Sequence, residues 1–327
     1  MSRKALIRAT GIGLPERCLS NFDIQKLVDT TDDWIFTRTG IRYRRIAEDG
    51  IATSDLAIKA ASECLQKAGL DAADLDLIIV ATITPDMLCP ATACQVQDGL
   101  GAKKAAAFDL CAACTGFVYA LASASAFIET GMYRNALVIG AETLSRFVDW
   151  TDRRTCVLFG DGAGAVLVEA SDGERGVLRS ILHADGSASS LLCVPAGGSR
   201  MPLSEQSLTQ KLHYLRMDGR EVYKLGVHIF VDAVNEALEK AGLKLDDIDL
   251  FVSHQANLRI IEAAAKRLGI SMERMMVNID RYGNTSSASI PIALEEAESI
   301  GKLKPNDLVL TIGFGAGFSW GTNLIRW

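Results

Sequence analysis

Residues 60–77 read AASECLQKAGLDAADLDL, and residues 233–250 read AVNEALEKAGLKLDDIDL. Each stretch is typical of an amphipathic helix that ends at Ala-Gly-Leu, followed by an acidic turn and an apolar strand. The two lie 173 residues apart, and Ala136–Gly140 echoes Val309–Gly313 at a matching offset. Two matches in register indicate duplicated halves, which we place at residues 1–172 and 173–327.

The composition is that of a globular protein, with 327 residues, 49% hydrophobic and 23% charged. A net charge of −6 argues against a general nucleic-acid binder, and no run reaches the roughly 18 apolar residues of a membrane span. The eight cysteines lie mostly in apolar runs, which favours free thiols in a reducing compartment. Arg3, Lys4 and Arg8 place charge too early for a signal sequence, so we expect a cytoplasmic protein.

Strand and helix patterns alternate along both halves. Helices are predicted near residues 55–68, 92–100, 115–130, 219–241, 257–268 and 289–300. Strands are predicted near residues 76–82, 104–109, 136–141, 248–253, 275–279 and 307–313. This alternation predicts α/β layers around a largely parallel sheet, with ligands at the carboxyl ends of the strands. Residues 194–215, rich in Pro, Gly, Ser and Gln, are expected to form a loop over that site.

Cys114 is the candidate nucleophile. It lies in AAAFDLCAACTGF, residues 105–117, where an apolar strand gives way to a helix. A thiol at a helix N-terminus faces the positive end of the helix dipole, so we expect a lowered pKa. Taken alone, a cysteine is more often a buried structural residue.

His254 and Asn284 are the candidate partners of that thiol. His254 follows the strand in LFVSHQAN, residues 250–257, and the duplicated position in the first half is Ala81, so the scaffold itself does not require histidine. Asn284 lies in YGNTSSAS, residues 282–289, where a turn asparagine is the alternative. A nucleophilic thiol with two hydrogen-bond donors is what acyl transfer through a thioester needs.

Cys111 and Cys114 also form a Cys-x-x-Cys pair, which leaves a redox role open. A zinc site would need a second ligand pair, and the sequence has none at the required spacing. The glycine cluster at 159–165 lacks the Gly-x-Gly-x-x-Gly pattern and predicts a strand connection. The cluster at 313–321 would let backbone N–H groups approach a ligand.

These segments, together with DDWIFTRTGI at 32–41, resemble the β-ketoacyl-[acyl-carrier-protein] synthase III family of the thiolase superfamily over nearly the whole chain. The resemblance implies a thiolase-like α/β fold whose two halves pack as α-β-α-β-α layers. It implies Cys114, His254 and Asn284 as the catalytic residues. It also implies an oxyanion hole formed by the backbone N–H groups of Cys114 and Ala316, although many relatives carry glycine at the latter position.

The resemblance further implies the residues that bind substrates. Coenzyme A would contact Thr30, Trp34, Arg38, Arg153, Gly219 and Asn257, because an indole ring and guanidinium groups suit adenine and phosphates. The acyl pocket would involve Met217, Tyr223 and Cys89. Relatives are homodimers in which the residue matching Cys89 closes the partner's pocket. Some of them carry phenylalanine there, so the smaller cysteine argues against strict acetyl selectivity.

A basic helix face after His254 is expected to dock an acidic acyl carrier protein. Arg259, Lys266 and Arg267 are spaced to share that face, and Lys224 and Gln255 are expected to join them. A solvated helix face is the ordinary alternative.

The resemblance implies a decarboxylative Claisen condensation of an acyl-CoA primer with malonyl-acyl-carrier protein, starting type II fatty acid biosynthesis. No metal or redox cofactor is expected. The alternatives are a related acyltransferase of secondary metabolism, a cysteine-dependent thioester hydrolase, and a non-catalytic acyl-CoA-binding protein. An assay with acyl-CoA and malonyl-carrier protein distinguishes all four.

Overall fold

The structure is a computed structural model that describes residues 3–327. The strands are β1 Lys4–Gly13, β2 Cys18–Ser20, β3 Tyr43–Arg45, β4 Leu77–Ala81, β5 Ala106–Leu110, β6 Asn135–Glu142, β7 Gly162–Ser171, β8 Gly176–Ala184, β9 Leu192–Cys193, β10 Arg216–Met217, β11 Leu250–Ser253, β12 Leu308–Gly315 and β13 Ser319–Arg326. The helices are α1 Asn21–Ile24, α2 Asp32–Thr39, α3 Thr53–Ala68, α4 Thr92–Gly99, α5 Gly116–Glu129, α6 Glu205–Thr209, α7 Gly219–Ala241, α8 Leu258–Leu268, α9 Ile279–Tyr282 and α10 Ser289–Ser299.

Two sheets form the framework. The first has the order β1-β7-β6-β4-β5, and the second has the order β11-β12-β13-β8. Strand β4 runs parallel to β5 and β6, and β11 runs parallel to β12, but the other pairs within these sheets are antiparallel. The prediction of a largely parallel sheet was therefore wrong. Its cause was the failure to recognise β1, β8 and β13, since such strands pair antiparallel without a crossover helix.

Successive side chains of each strand point to opposite faces of its sheet, so each sheet packs against a different layer on either face. Leu77 and Ile79 of β4 point into a core shared with α5, α10 and the second sheet, whereas Ile78 and Val80 point towards α3 and α4. The outer face of the second sheet packs on α7 and α8. The order is therefore helices, sheet, central helices, sheet, helices, which is the thiolase-like layering.

The duplication in the sequence is a duplication in space. Ile78 of β4 pairs with Leu137 of β6, and 173 residues later Phe251 of β11 pairs with Leu310 of β12. The helices before β4 and β11 end at Gly69 and Gly242, which adopt φ values of 68° and 66°. The five-stranded sheet draws on residues 4–171, and the four-stranded sheet draws on residues 176–326.

One predicted strand does not form. Residues 275–279 make a single parallel bridge between Phe251 and Met275 and then enter α9. Asn278 is buried there and bonds the Glu296 side chain, so this segment follows side-chain contacts rather than extending a ladder. Within residues 3–327, no helix is long and apolar enough to cross a membrane.

Candidate active site

Cys114 lies in a tight turn between a strand and a helix. The turn, Ala113–Thr115, follows β5 and leads directly into α5. Ala113 adopts a left-handed conformation, with φ of 47°, and Cys114 is only 6% exposed. The Thr115 hydroxyl donates a 2.9 Å hydrogen bond to the carbonyl of Ser319, which ties the turn to the β12–β13 hairpin. Cys114 is thus held in place by both halves of the chain.

Burial controls the ionisation of this thiol. Desolvation raises the pKa of Cys114 to about 12, although a hydrogen bond with the Ser286 side chain opposes the rise. Burial therefore acts against the lowering of the pKa that is expected for a thiol at a helix N-terminus.

His254 is a buried neutral imidazole. It is 1% exposed, and desolvation lowers its pKa to about 3. Its Nδ1 lies 2.7 Å from the Ser289 hydroxyl, and its ring meets the Phe314 ring edge-on at 5.5 Å. The Ser289 hydroxyl donates to the Ser286 carbonyl at 2.8 Å, and the direction of its bond with Nδ1 depends on the imidazole tautomer. In the neutral tautomer protonated at Nε2, His254 presents an Nε2–H donor to a ligand.

Asn284 presents its amide group as a donor. Its Oδ1 accepts a 2.9 Å hydrogen bond from the backbone N–H of Ser286. The backbone N–H of Asn284 donates to the Leu158 carbonyl at 2.9 Å, and its carbonyl accepts from the N–H of Gly160 at 3.0 Å. Because Oδ1 is occupied, the Nδ2 amide is the end left for a ligand.

The end of β12 lies against Cys114. A Cβ added to Gly315 would lie 2.7 Å from Cβ of Cys114 and 3.2 Å from its sulfur. Only glycine lets the backbone approach this closely. Ala316, the next residue, lines a cavity together with Cys114, which is where an oxyanion donor would have to be.

A cavity of about 570 Å³ brings the three candidate residues together. Cys114, His254 and Asn284 all line it, although 30 or more residues separate each from the next along the chain. Phe314 and Phe318 complete the apolar wall. Apolar walls exclude water, so hydrogen bonds to a charge that develops here are strong.

The outer part of the same cavity carries the residues expected to bind coenzyme A. The Trp34 ring has the guanidinium groups of Arg38 and Arg153 at 5.1 Å and 5.3 Å from its centroid. Asn257 caps α8 and donates to the Arg38 carbonyl at 3.0 Å, and Gly219 also lines the cavity. Thr30 lines no described cavity, but its hydroxyl is buried without a hydrogen-bond partner.

A second, apolar cavity of about 420 Å³ opens on the other side of Cys114. It is lined by Ile83, Leu144, Phe147, Phe159, Val194 and Leu215, together with Cys111 and Cys193. Met217 and Tyr223, expected in the acyl pocket, line the larger cavity instead. Cys89 is exposed and lines neither cavity of the single chain, so its contribution to a partner's pocket stays a prediction. The segment 194–215 borders this cavity through its two end residues.

Four of the five residues expected to dock a carrier protein are exposed. Arg259, Lys266 and Arg267 are exposed, and Arg259 also lines the larger cavity. Lys224 lines that cavity too and forms a 2.7 Å ion pair with Glu221. Gln255 does not belong to this face: it is 1% exposed, and its amide bonds the carbonyls of Ser253 and Met276. A side chain sealed in the core cannot contact a docked protein.

The sequence did not point to three residues close to the site. Ser289 bonds His254, Ser286 lines the apolar cavity together with Cys114, and the fully buried Glu142 accepts from Ser286 at 3.0 Å. One signal was available for Glu142, since an acidic residue ends the apolar strand NALVIGAE. Its duplicated position in the second half is Gly315, so the repeated scaffold does not require a carboxylate.

The fold and this arrangement of thiol, imidazole and amide define a condensing acyltransferase of the thiolase-like class. Residues 108–186 match the family model of 3-oxoacyl-[acyl-carrier-protein (ACP)] synthase III, and residues 238–327 match the model of its C-terminal part. The chain therefore belongs to the β-ketoacyl-[acyl-carrier-protein] synthase III family, as its motifs predicted.

Individual members of this family match the chain over nearly its full length. The β-ketoacyl-[acyl-carrier-protein] synthase III of Caldanaerobacter subterraneus subsp. tengcongensis is 54% identical, over 98% of this chain and 97% of that protein. Its namesake from Clostridioides difficile is 50% identical, over 100% of this chain and 99% of that protein. The crystal structure of 3-oxoacyl-[acyl-carrier-protein] synthase III from Aquifex aeolicus VF5 superposes with a TM-score of 0.91 at 48% identity, covering 99% of this chain and 100% of that chain. Nothing in these relatives favours a hydrolase, a binding protein or an enzyme of secondary metabolism.

Proposed function

We propose that this enzyme starts fatty acid synthesis by condensing an acyl-CoA primer with malonyl-acyl-carrier protein. In the first half-reaction the Cys114 sulfur attacks the thioester carbonyl of acyl-CoA. The carbonyl oxygen turns towards the backbone N–H groups of Cys114 and Ala316, which stabilise the negative charge. Coenzyme A leaves with a proton, and the acyl group stays on Cys114.

In the second half-reaction malonyl-carrier protein enters the same cavity. The bond to its carboxylate breaks, carbon dioxide leaves, and the electron pair forms an enolate at the thioester. Nε2 of His254 and Nδ2 of Asn284 donate hydrogen bonds to the enolate oxygen. The carbanion then attacks the acyl-Cys114 thioester, which releases 3-oxoacyl-carrier protein and the Cys114 thiolate, and the thiolate takes up a proton from solvent to restore the thiol. The scheme requires no metal or redox cofactor.

The observation that carries this proposal is the shared cavity of Cys114, His254 and Asn284. Decarboxylation of malonyl produces a negative charge on an oxygen atom, which two neutral donors in a dry site stabilise without a strong base. A neutral His254 and an Asn284 amide fixed by Ser286 are suitable for this role. A hydrolase would have to admit water to the acyl-enzyme, and this apolar cavity disfavours it.

We assign coenzyme A to the outer part of the larger cavity, which Cys114, His254 and Asn284 also line. Adenine would stack on Trp34, and Arg38 and Arg153 would pair with its phosphates. The acidic carrier protein would dock on the exposed cations of α8, because Arg259 borders the cavity through which its prosthetic arm must enter. Since the whole chain is negative, only a local basic face attracts such a partner.

The working form is proposed to be a homodimer in the cytoplasm. Strand β5 is at the edge of its sheet, so its free backbone groups are available to a second copy. Leu88 is 92% exposed beside Met87 and Cys89, and such a group is typical of an interface. Cys89 would then close the partner's apolar cavity. Eight free thiols suit a reducing compartment.

One assay tests the function. Purified enzyme is mixed with acyl-CoA and malonyl-carrier protein, and the carrier-bound products are resolved by mass. We expect 3-oxoacyl-carrier protein, free coenzyme A and carbon dioxide in equal amounts. Free acid without a condensed product would instead establish a hydrolase. No turnover, with acyl-CoA bound, would establish a binding protein.

A further inference from the structure

Gln255 is a buried amide next to His254 that the reaction above does not use. It is 1% exposed and lies two positions after the end of β11. Its Nε2 donates to the Ser253 carbonyl at 2.9 Å and to the Met276 carbonyl at 3.1 Å. Its Oε1 accepts from the backbone N–H of Asn278 at 3.0 Å. All three bonds go to the backbone, so the amide ties two segments of the chain to each other.

These two segments carry the donors proposed for the enolate. Ser253 is the last residue of β11, and His254 follows it directly. Met276 and Asn278 lead into the short helix α9, and Asn284 comes two residues after that helix ends. The bonds of Gln255 therefore join the segment that delivers the imidazole to the segment that delivers the amide.

Helix α10 supports the same two segments from behind. Asn278 is 2% exposed, and its Nδ2 donates to Oε2 of Glu296 on α10 at 2.8 Å. Ser289 begins α10, and its hydroxyl lies 2.7 Å from Nδ1 of His254. The imidazole and the start of α9 are thus both bonded to one helix, and Gln255 links them directly across the remaining side.

We infer that Gln255 is a positioning residue that fixes the spacing between Nε2 of His254 and Nδ2 of Asn284, an inference that rests on the proposed function. Two donors stabilise one enolate oxygen only when both are within hydrogen-bond distance of it. A misplacement of about 1 Å in a reactive site costs about 10²-fold in rate. The bonds that set this spacing therefore control the decarboxylation of malonyl-carrier protein, although Gln255 itself touches no substrate.

An amide is suited to this position. It supplies two N–H donors and one acceptor, which match two backbone carbonyls and one backbone N–H. An apolar side chain of the same length would leave these buried backbone groups unbonded, so the two segments would move to find other partners. The first half-reaction uses Cys114 and the N–H of Ala316, which lie on other elements, so self-acylation should not depend on Gln255.

Asn135 provides a matched control. It is a buried amide, 7% exposed, whose Oδ1 accepts from the N–H of Asp76 at 2.9 Å and whose Nδ2 donates to the Asp74 carbonyl at 3.0 Å. It therefore ties two backbone segments together as Gln255 does. Asn135 begins β6, however, and Cys114 follows the far end of β5, which runs in the same direction in that sheet. Loss of its bonds should disturb the fold without touching the site.

The test compares wild type, Gln255→Met, Gln255→Asn and Asn135→Leu in the full-length enzyme. Gln255→Met keeps the length and removes all three bonds, whereas Gln255→Asn keeps the amide but is one methylene too short to reach both segments. Carbon dioxide release is measured with malonyl-carrier protein and with malonyl-pantetheine, and single-turnover acylation is measured with acetyl-CoA. We expect both Gln255 variants to decarboxylate both malonyl substrates about 10–10²-fold more slowly, with self-acylation within about threefold of wild type. Asn135→Leu should leave the ratio of the two rates unchanged.

A double-mutant cycle tests whether Gln255 acts through the spacing of the two donors. In His254→Ala only the Asn284 amide remains, so there is no spacing left to fix. Adding Gln255→Met to His254→Ala should therefore slow decarboxylation by no more than about threefold. A further loss of about 10-fold or more would show that Gln255 acts in another way and would overturn the inference.

The small substrate separates positioning from docking. A loss with malonyl-carrier protein but not with malonyl-pantetheine would show that Gln255 serves carrier docking, and equal losses of decarboxylation and self-acylation would show a general loss of structure. Either result overturns the positioning role. If Gln255→Met does not fold, as judged by circular dichroism, Gln255→Asn decides. A wild-type enzyme that does not decarboxylate malonyl-carrier protein would refute the proposed function itself, whereas normal decarboxylation in folded Gln255 variants would refute the positioning role alone.

Discussion

The backbone N–H of Ser286 donates a 2.9 Å hydrogen bond to Oδ1 of Asn284. This bond fixes which end of the Asn284 amide remains for substrate. The same residue, through its hydroxyl, donates to Oε1 of the buried Glu142 at 3.0 Å. One serine therefore orients the Asn284 amide and bonds the buried carboxyl.

Asn284→Asp should separate the two half-reactions. The substitution keeps the shape but replaces the amide donor with a carboxylate oxygen, so the enolate loses one hydrogen bond. We expect malonyl decarboxylation to fall by about 10²–10³-fold while self-acylation by acyl-CoA persists. His254→Ala and Asn284→Ala should behave alike. Carbon dioxide release and acyl-enzyme mass measure the two steps, and normal decarboxylation in these variants would refute the assignment.

Cys114, and not Cys111, should carry the acyl group. Both are free thiols on the apolar cavity, but Cys114 is in the turn against Gly315 and Ala316, where the oxyanion donors are proposed. Acyl-CoA is incubated with the enzyme, which is then digested, and the added mass is mapped. Cys114→Ala should abolish condensation. Finding the acyl group on Cys111 with Cys114 free would show that the nucleophile is misassigned.

Gly315→Ala should prevent acylation. The new methyl group would lie 2.7 Å from Cβ and 3.0 Å from the backbone nitrogen of Cys114, so the turn would have to move. We expect at least a 10²-fold loss in acylation, since backbone donors act only when correctly placed. Gly186→Ala is the control, because no atom lies within 4 Å of the added carbon there. Equal rates in both variants would contradict the close approach.

His254 should make the protein sensitive to acid. Its pKa is lowered from 6.5 to about 3 in the folded state, so below pH 6.5 the unfolded chain binds a proton that the folded chain does not. The stabilisation is therefore complete above pH 6.5 and is lost as the pH falls towards 3. From pH 7.5 to 5, wild type should lose about 2 kcal/mol more unfolding free energy than His254→Gln. Urea unfolding at both pH values measures this, and parallel losses would exclude a buried neutral His254.

Arg259→Glu should weaken the use of malonyl-carrier protein while sparing self-acylation. The cation borders the cavity on the exposed face of α8, and reversal with Lys266 and Arg267 should add to the effect. The loss of kcat/KM should be largest at low salt. Lys304→Glu is a matched control, because it precedes β12 and lies at the end of the sheet opposite His254.

Truncating Trp34 or Arg38 should have the opposite effect. We expect kcat/KM for acyl-CoA to fall, whereas the reaction of the fully acylated enzyme with malonyl-carrier protein should be unchanged. The values of kcat/KM for each substrate are compared at two salt concentrations. Unchanged carrier-protein parameters in the reversed α8 variants would place the docking surface elsewhere.

Local patterns predicted much of the fold. The helix expected near residues 289–300 is Ser289–Ser299, and the strand near 248–253 is Leu250–Ser253, because apolar periodicity and glycine stops are encoded in neighbouring residues. The prediction of a strand at 275–279 was wrong. The apolar run fits a strand pattern, but a buried hydrogen bond from Asn278 to Glu296 holds the segment outside the sheet.

The sequence by itself determined the duplicated α/β architecture and the family, and it predicted Cys114, His254 and Asn284 as the catalytic residues, since repeats and motifs are properties of order along the chain. Tertiary structure alone decided strand direction in the sheets, the burial of Gln255, the raised pKa of Cys114 and the contact between Glu142 and Ser286. That contact joins residues 144 positions apart. Desolvation and hydrogen-bond partners depend on which parts of the chain pack together when it folds, and no local sequence pattern specifies that packing.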